Sequence, residues 1–297
     1  MNEARRYLHP ILDSARWARY QPRDDDVIVA TSFKSGTTWM QLILLHLLYG
    51  VKDVPLLRDM DHWVDFRALE EGKMLERLEG QRSRRIIKTH LPFDAIPYHR
   101  EVKYIVVDRD PRDVGMSLWN HYRNMNLGYV NDNLPSGVKP IPPCPGDIHT
   151  FFRRWLTVGY FDWEQEGFPF WSNLRHVQTW FDVRGHDNVL HVHYGDLLRR
   201  PESEISRVAG FIGAGADADQ VKQVSEVTSF NHVKSNLDAL FPGGYGLFRG
   251  GADTFFNKGV NGRWKGVLTR DDLDLFETVS RKILSRECRE WLARGSM

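Results

Sequence analysis

The fold is decided by one short stretch of the chain, Val27 to Trp39, which reads VIVATSFKSGTTW. Its first five residues are almost all β-branched, a composition that predicts a buried β-strand. The run from Thr37 to Tyr49 has the composition of a helix and is apolar on nearly every side, which predicts that this helix is buried. A strand that passes through a short turn directly into a helix is the building unit of an α/β fold.

The turn between this strand and this helix predicts an anion-binding site. The first residues of a helix present unpaired N–H groups and a partial positive charge. Gly36 lets the backbone approach a ligand closely, Lys34 adds a full charge, and hydroxyl donors come from Ser35, Thr37 and Thr38. The turn is P-loop-like but is not a Walker A motif, because that motif places its lysine after a second glycine. Taken alone, the turn is also compatible with a Ser/Thr-rich helix cap that carries an incidental lysine.

Apolar segments farther along the chain predict the rest of a sheet. Three more strands are expected, at Arg85–Thr89, Lys103–Asp108 and Val189–Tyr194. One helix is expected from Pro111, with Asp110 as its N-cap, to about Arg123. Further helices are expected near residues 148–160, near residues 171–184, and after Thr269 at the end of the chain. Alternating strands and helices predict a mostly parallel central sheet flanked by helices. We find no linker that divides the chain, so we expect residues 1–297 to form a single domain.

Composition argues against several classes of protein. The chain has 40 Lys+Arg against 39 Asp+Glu, which is unlike a general nucleic-acid binder. Its two cysteines, Cys144 and Cys288, form no CxxC pair, so neither a disulfide scaffold nor a zinc site is expected, and no metal-ligand cluster is visible. The start of the chain lacks a signal-peptide core, and the run from Leu42 to Tyr49 is too short to span a bilayer. We therefore expect a cytoplasmic protein without stable membrane insertion.

Two long segments predict loops. Residues 126–147 contain five prolines, and residues 240–253 contain five glycines. Loops of this length are often lids over a ligand, although ordinary surface connections remain the alternative.

With a second motif, the chain resembles the cytosolic-type sulfotransferases, whose donor is 3′-phosphoadenosine 5′-phosphosulfate (PAPS). Their phosphosulfate loop reads TYPKSGTTW, and this chain departs from it only at Ser32 and Phe33. The second motif, KTHLP at residues 88–92, is the context of the family's catalytic histidine. A histidine just past the end of a strand suits a general base near neutral pH. The resemblance implies that His90 takes the acceptor proton while Lys34 and Lys88 stabilise the leaving and transferred oxygens.

Histidines elsewhere are more simply interpreted as hydrogen-bonded structural residues. This interpretation covers His46, His121, His191 and His193.

Two further motifs resemble the family's site for the 3′-phosphate of the donor. Arg109 and Ser117 have the spacing that the family uses to hold this phosphate, and an arginine fork matches phosphate geometry. The segment 255–265 resembles the family pattern RKGxxGDWK, which assigns Asn257, Lys258 and Gly259 to the same phosphate. Asn257 stands where the family has arginine, and Arg263 stands where it has aspartate. Arg263 is therefore a candidate to restore the missing charge.

The resemblance also assigns the adenine and leaves the acceptor open. The residues assigned to the base are Trp39, Tyr194, Thr228 and Phe230. Loop aromatics that suit a hydrophobic acceptor, or that serve only packing, are Trp63, Phe66, Phe93, Tyr129, Tyr245 and Phe248. The family's dimer motif is matched only at Lys265 and Thr269, so a homodimer is compatible with the sequence but is not predicted by it.

The predicted function is therefore transfer of a sulfuryl group from PAPS to a small-molecule hydroxyl of an alcohol, phenol or lipid-like acceptor, without a metal. Two alternatives remain at this stage. One is a P-loop kinase or NTPase-like phosphotransferase, which the position of Lys34 disfavours. The other is a non-catalytic nucleotide sensor, which the retention of His90 and Lys34 disfavours.

Overall fold

Five parallel strands form the central sheet, in the order β2-β3-β1-β4-β5. They are β1 (Val27–Thr31), β2 (His62–Trp63), β3 (Ile86–Thr89), β4 (Lys103–Asp108) and β5 (Val189–His193). The computed structural model describes residues 5–52, 54–132, 134–240, 248–251, 254, 256 and 258–295. Asn257 and Tyr245, both named above, lie outside the described residues.

Helices cover both faces of the sheet. They are α1 (Thr37–Tyr49), α2 (Leu57–Met60), α3 (Glu71–Gly80), α4 (Pro111–Arg123), α5 (Leu127–Asn131), α6 (Ile148–Thr157), α7 (Asn173–Phe181), α8 (Tyr194–Arg199), α9 (Pro201–Ile212), α10 (Ala218–Val227), α11 (Phe230–Ser235), α12 (Leu237–Leu240), α13 (Arg270–Ile283) and α14 (Arg286–Arg294). Short 3₁₀ turns lie at Ser14–Arg19 and Phe93–Ala95. Within the described ranges, every helix is too short or too polar to cross a bilayer.

The core has two halves because successive side chains of a strand point to opposite faces of the sheet. Ile28 and Ala30 of β1 belong to one apolar cluster, and Val27 and Val29 belong to the other. All five residues of β1 are buried. The central strand of the sheet is thus the strand that leads into the anion-binding turn.

Parallel pairing brings the carboxyl ends of the strands to one edge. Ala30 of β1 lies opposite Thr89 of β3, and Asp108 of β4 lies opposite His193 of β5. Residues that follow these positions therefore meet above the same edge, where open α/β sheets place their ligands.

The predicted α/β fold with a flanked parallel sheet is confirmed, with small shifts of element boundaries. Strand β3 begins at Ile86, because Arg85 is drawn into a buried ion pair with Asp26 at 2.5 Å. Strand β5 ends at His193, whose side chain accepts the N–H of Gly195 and caps α8. The chain end forms two helices, since Ser285 caps a new helix after α13.

The first predicted loop, residues 126–147, is packed against the protein along part of its length. It begins with the short helix α5, and Asn131 exchanges two hydrogen bonds of 2.9 Å with the backbone of Ile141. The hydroxyl of Tyr122 in α4 donates to the carbonyl oxygen of Pro142. The second predicted loop lies largely outside the described residues. Its described part, 248–251, joins the end of α4 through the N–H of Arg249, which donates to Asn124 at 2.8 Å.

Candidate functional site

A cavity of about 620 Å³ opens at the carboxyl-end edge of the sheet. Its walls come from the residues that follow β1, β3 and β4, from the start of α8 and from the chain around residue 259. The lining includes Lys34, Gly36, Thr37, Thr38, Trp39, Lys88, His90, Arg109, Ser117, Tyr194, Thr228, Phe230, Lys258 and Gly259. Pockets of this volume hold small ligands. The site residues predicted from separate motifs are therefore brought together, except for Ser35 and the undescribed Asn257.

The turn before α1 leaves its first N–H groups available to a ligand. Gly36 is the N-cap of α1 and has a φ of 117°, and no side chain caps this end of the helix. Lys34 also has a left-handed backbone, with φ 68°, which a non-glycine residue seldom adopts. Ser35 is directed inward, where its hydroxyl lies 2.7 Å from that of Ser32. The turn thus presents Lys34 and the start of α1 to the cavity, while the Ser35 hydroxyl stabilises the turn.

Lys34 lies in an environment that disfavours its charge. Burial and, secondarily, the positive charge of Arg109 lower the pKa of the Lys34 ammonium to about 7. Two cations held close together in a cleft indicate that an anion belongs between or beside them.

Arg109 connects the turn to the segment after residue 259. Its guanidinium donates to the carbonyl oxygen of Lys34 at 3.0 Å, to that of Val260 at 2.8 Å and to the side-chain oxygen of Asn261 at 3.1 Å. It also lies over the ring of Tyr194, 4.2 Å from the ring centroid. Asp113, four residues after Arg109 in the chain, does not pair with it. Asp113 instead accepts the backbone N–H groups of the 260–263 segment.

Arg112, the other arginine of this motif, is directed away from the cavity. Its guanidinium pairs with Asp110 at 2.7 Å and lies 4.0 Å from the ring centroid of Trp264. It therefore packs on the protein and is only partly solvated.

Aromatic side chains enclose one part of the cavity. Tyr194 packs on Gly36, where an added Cβ would come within 2.9 Å of the tyrosine ring, and contacts Trp39 edge-on with centroids 5.4 Å apart. Phe230 packs on Gly259, where a Cβ would lie 2.3 Å from the ring. The indole N–H of Trp39 is buried and has no hydrogen-bond partner among the described residues. This part of the cavity offers flat apolar walls and one unused donor.

The imidazole of His90 is fixed by the last residue of β1. Its Nδ1 lies 2.9 Å from the carbonyl oxygen of Thr31, which can only accept, so Nδ1 carries the proton and Nε2 has the free lone pair. The Thr31 hydroxyl also lies 2.6 Å from that of Thr37 in α1. Burial, followed by the charge of Lys88, lowers the pKa of His90 to about 3, so the ring is neutral at neutral pH.

Lys88 is held by an acidic partner that the sequence did not reveal. Its ammonium pairs with Asp61 at 2.5 Å and lies 4.8 Å from the ring centroid of Trp63. The other oxygen of Asp61 accepts the side-chain amide of Gln41 at 2.8 Å. Asp61 and Gln41 both line the cavity, but residues of such common types have no motif that would identify them in a sequence.

A chamber of aromatic side chains surrounds His90. Phe33 lies 4.4 Å from the imidazole by ring centroids, and Trp63 contacts it edge-on at 5.1 Å. Of the six loop aromatics considered above, four line the cavity: Trp63, Phe66, Tyr129 and Phe248. Phe93 instead packs on Trp180, at 5.1 Å.

His121, interpreted above as a structural residue, also lines this chamber. Its ring lies 4.5 Å from Phe248 and 6.3 Å from Phe33 by centroids. Burial, then the charges of Lys34 and His90, lower the pKa of His121 well below its usual range, so the ring is neutral. The signal available in the sequence was its position one helical turn after Ser117, which places both on one face of α4.

The remaining histidines named above have structural contacts. His191 pairs with Asp108 at 2.6 Å, His193 caps α8, and His46 bonds to the carbonyl oxygen of Gly50 at 3.1 Å. Across the described part of the chain, no three His, Cys, Asp or Glu side chains are grouped so as to hold a metal ion.

Comparison with known proteins bears on the family and the fold of the chain. A family model described as the sulfotransferase domain matches residues 24–291. A glycolipid sulfotransferase of Mycobacterium bovis is 28% identical, covering 89% of this chain and 86% of the relative. Sulfotransferase 1A1 of Canis lupus familiaris is also 28% identical, covering 89% of this chain and 84% of the relative.

Solved structures share the architecture. Mouse sulfotransferase SULT7A1 complexed with PAP has a TM-score of 0.69 and 21% identity, covering 94% of this chain and 91% of that chain. Retinol dehydratase in complex with androsterone and the inactive cofactor PAP has the same TM-score and identity, covering 92% of this chain and 84% of that chain. These likenesses establish the fold.

Proposed function

The chain belongs to the sulfotransferase domain family, and from this premise we propose that it transfers a sulfuryl group from PAPS to a hydroxyl of a hydrophobic acceptor. The observation that carries the proposal is the surplus of cations along the cavity. Lys34, Arg109, Lys258 and Arg263 line it, in a protein whose formal net charge is only +1. A local surplus in a nearly neutral protein favours a strongly anionic ligand.

Features of the cavity fit a phosphorylated nucleotide. The lowered pKa of Lys34 is relieved by an anion, because a negative charge favours the ammonium form. Gly259 and Gly36 keep the walls open at positions where a Cβ would meet Phe230 and Tyr194. The buried indole N–H of Trp39 has no acceptor among the described residues, and a purine ring nitrogen could accept a hydrogen bond from it.

We assign the donor contacts as follows. Lys34, Thr37, Thr38 and the first N–H groups of α1 hold the 5′-phosphosulfate, because they surround the uncapped helix end. Arg109, Ser117, Lys258 and Gly259 hold the 3′-phosphate. Trp39, Tyr194, Thr228 and Phe230 enclose the adenine. Asn257 remains a sequence-based assignment to the 3′-phosphate, and Ser35 contributes by fixing the turn through Ser32.

His90 is proposed as the general base. PAPS supplies an electrophilic sulfur and a bisphosphate leaving group. The free Nε2 lone pair of His90 accepts the acceptor's hydroxyl proton while the oxygen–sulfur bond forms and the bond from sulfur to the phosphate oxygen breaks. The pKa of about 3 results first from burial of the ring and then from the nearby positive charge of Lys88, with a smaller contribution from Lys34. Negative charge bound beside Lys34 raises that pKa toward the range that suits a base.

Lys34 and Lys88 are proposed to stabilise charge on oxygen during transfer. Lys34 would act on the leaving phosphate oxygen, and Lys88 on the sulfuryl oxygens; both line the cavity. Asp61 fixes the position of the Lys88 ammonium through their 2.5 Å ion pair, and Gln41 fixes Asp61. Groups held in place before the reaction stabilise developing charge without reorganising.

The acceptor is proposed to be an amphiphilic hydroxyl compound. Phe33, Trp63 and Phe248 give the chamber apolar walls. The neutral ring of His121 adds a hydrogen-bonding group near His90, since the ring of Phe33 contacts both imidazoles. This combination favours an acceptor with an apolar ring or chain and a second polar group. A glycolipid is one such compound, and it is the acceptor class in the name of a relative.

We also propose a reducing compartment such as the cytoplasm, which the free thiols of Cys144 and Cys288 support.

Calorimetry with adenosine 3′,5′-bisphosphate (PAP) and with ATP plus Mg²⁺ tests the donor class. We expect PAP to bind and ATP to bind at least about 100-fold more weakly, because the 3′-phosphate contacts are charge-assisted. Preference for ATP would favour the kinase alternative. A ³⁵S-labelled PAPS assay across phenols, sterols, alkanols and glycolipids then tests catalysis. PAP binding without transfer to any acceptor in this set would favour the sensor.

A further inference from the structure

The segment 260–263 encircles Arg109 at one end of the cavity. Its carbonyl oxygen at Val260 and its side-chain oxygen at Asn261 accept from Arg109 at 2.8 and 3.1 Å. Its next two backbone N–H groups, at Gly262 and Arg263, donate to the buried carboxylate of Asp113 at 2.7 and 2.8 Å. Both ends of this short segment are therefore anchored, and the side chain of Arg263 emerges from a defined backbone position.

The side chain of Arg263 is half-buried and lines the cavity, yet its guanidinium makes no hydrogen bond or ion pair with any residue that the structure describes. The nearby carboxylate of Asp113 already accepts one backbone N–H at each of its oxygens, Oδ1 and Oδ2, which reduces its capacity to pair with Arg263. The ring of Tyr194 is likewise taken by Arg109, which lies 4.2 Å from its centroid.

The positive charges of Arg263 and Arg109 repel each other at this end of the cavity, which is electrostatically unfavourable. Burial, then the charge of Arg109, lowers the pKa of Arg263. A half-buried charge has lost part of its hydration and gains from pairing, and a guanidinium fork pairs best with a carboxylate or a phosphate. Lys258, two residues before this segment begins, lines the same cavity.

We propose that Arg263 is a direct ligand of a phosphate monoester on the ribose of the bound nucleotide, completing a three-cation site with Arg109 and Lys258. The inference rests on the proposed function, because the 3′-phosphate of PAPS is the group that distinguishes this donor from other adenine nucleotides. Arg263 then supplies specificity for the 3′-phosphate, while Lys34 and the start of α1 hold the other end.

The test compares two ligands, PAP and 5′-AMP, which differ by the 3′-phosphate. Calorimetric affinities are measured for the wild-type protein and for Arg263→Met, Arg263→Lys and Arg270→Met. We expect Arg263→Met to weaken PAP by about 10- to 100-fold and to leave 5′-AMP within about twofold, because a charge-assisted contact to one phosphate is lost. Arg263→Lys should retain part of the affinity, since it keeps the charge but not the fork.

Arg270→Met is the matched control. Its side chain is 93% exposed, and its change removes the same charge from the protein's overall field without touching the cavity. It should leave both ligands unaffected. A thermal unfolding midpoint close to that of the wild type shows that each variant is folded.

The possible outcomes separate the two levels of the proposal. A wild-type protein that binds PAP no better than 5′-AMP overturns the donor assignment, and the role of Arg263 with it. A wild-type protein that prefers PAP, with the same preference in folded Arg263→Met, overturns only the role of Arg263. Equal weakening of both ligands also overturns it, because Arg263 would then act on the part common to both.

Discussion

Nδ1 of His90 lies 2.9 Å from the carbonyl oxygen of Thr31, so the proposed base is anchored to the strand that carries the phosphate turn. The Thr31 hydroxyl lies 2.6 Å from that of Thr37, the first residue of α1. One residue thus orients the imidazole and contacts the helix end assigned to the donor. Thr31 therefore links the orientation of the proposed base to the helix end that we assign to the donor.

This relationship predicts that the His90 side chain is needed for turnover and not for donor binding. His90→Ala should lower kcat by at least about 100-fold, the low end of what a general base contributes, while the Kd for PAP stays within about threefold. Initial rates with labelled PAPS and calorimetry with PAP measure the two effects. His90→Asn, which keeps a donor near Thr31 but lacks the base, should be equally inactive. Substantial turnover by either variant would assign the base to another group.

Lys34 predicts a pH dependence of donor binding. Its pKa of about 7 means that the ammonium is fully formed below that pH and is progressively lost above it in the free protein. A bound anion favours the ammonium, so binding between pH 7.5 and 9 should take up as much as one proton, and affinity should fall by up to about tenfold per pH unit. Calorimetry in buffers of different ionisation enthalpy measures this uptake.

Lys34→Arg provides the control for the pH effect, because arginine stays charged throughout this range. The variant should bind PAP with no proton uptake. Uptake that persists unchanged in Lys34→Arg would show that another group is responsible.

Gly259 predicts a steric requirement in the donor site. A Cβ there would lie 2.3 Å from Phe230, and the backbone φ of 64° is itself unfavourable for alanine. Gly259→Ala should weaken PAP binding by at least about tenfold, because it would displace Phe230 from the wall that we assign to the adenine. Gly262→Ala is the control. Gly262 has a similar φ of 78°, but a Cβ there would lie 3.8 Å from Lys265, its nearest neighbour, so alanine would strain the backbone without a steric clash. Equal losses in the two variants would contradict the role assigned to the Phe230 contact.

His121 predicts acceptor selectivity. A matched pair of phenols, 4-hydroxybenzyl alcohol and 4-ethylphenol, differs by one hydroxyl in place of a methyl group. Wild-type protein should favour the alcohol in kcat/KM, and His121→Phe should reduce that preference by about fivefold or more with the Kd for PAP unchanged. His121→Gln, which keeps a hydrogen-bonding group, should preserve part of it. A preference unaffected in His121→Phe would make the residue a packing element of the chamber.

The sequence predicted the sheet well because its strands are strongly apolar and buried on both faces. β1 and β4 have the predicted bounds. It missed β2, a two-residue edge strand, because a pattern needs four or more residues to be recognised. It joined α13 to α14 because Phe276 and Trp291 fit one apolar stripe, whereas the break depends on the cap that Ser285 provides.

The candidate site was predictable where residues belong to contiguous motifs. Asp61 escaped detection because it reaches Lys88 from a different part of the chain, and only the folded structure shows their ion pair. The position of His121 on the cavity wall was not predicted, because a single histidine on a helix carries no sign of the cavity it faces. Arg263 was noticed as a departure from a motif, but its position depends on the two backbone bonds to Asp113.

The three hydrogen bonds of Arg109 have a consequence for ligand geometry. The guanidinium of Arg109 bonds to the carbonyl oxygens of both Lys34 and Val260. It therefore fixes the distance between the turn before α1 and the 260–263 segment. We therefore expect nucleotides whose anionic groups are differently spaced, such as a 2′-phosphate isomer, to bind more weakly than PAP. The side chain that we assign to the 3′-phosphate would therefore also discriminate between donors by the spacing of their anionic groups.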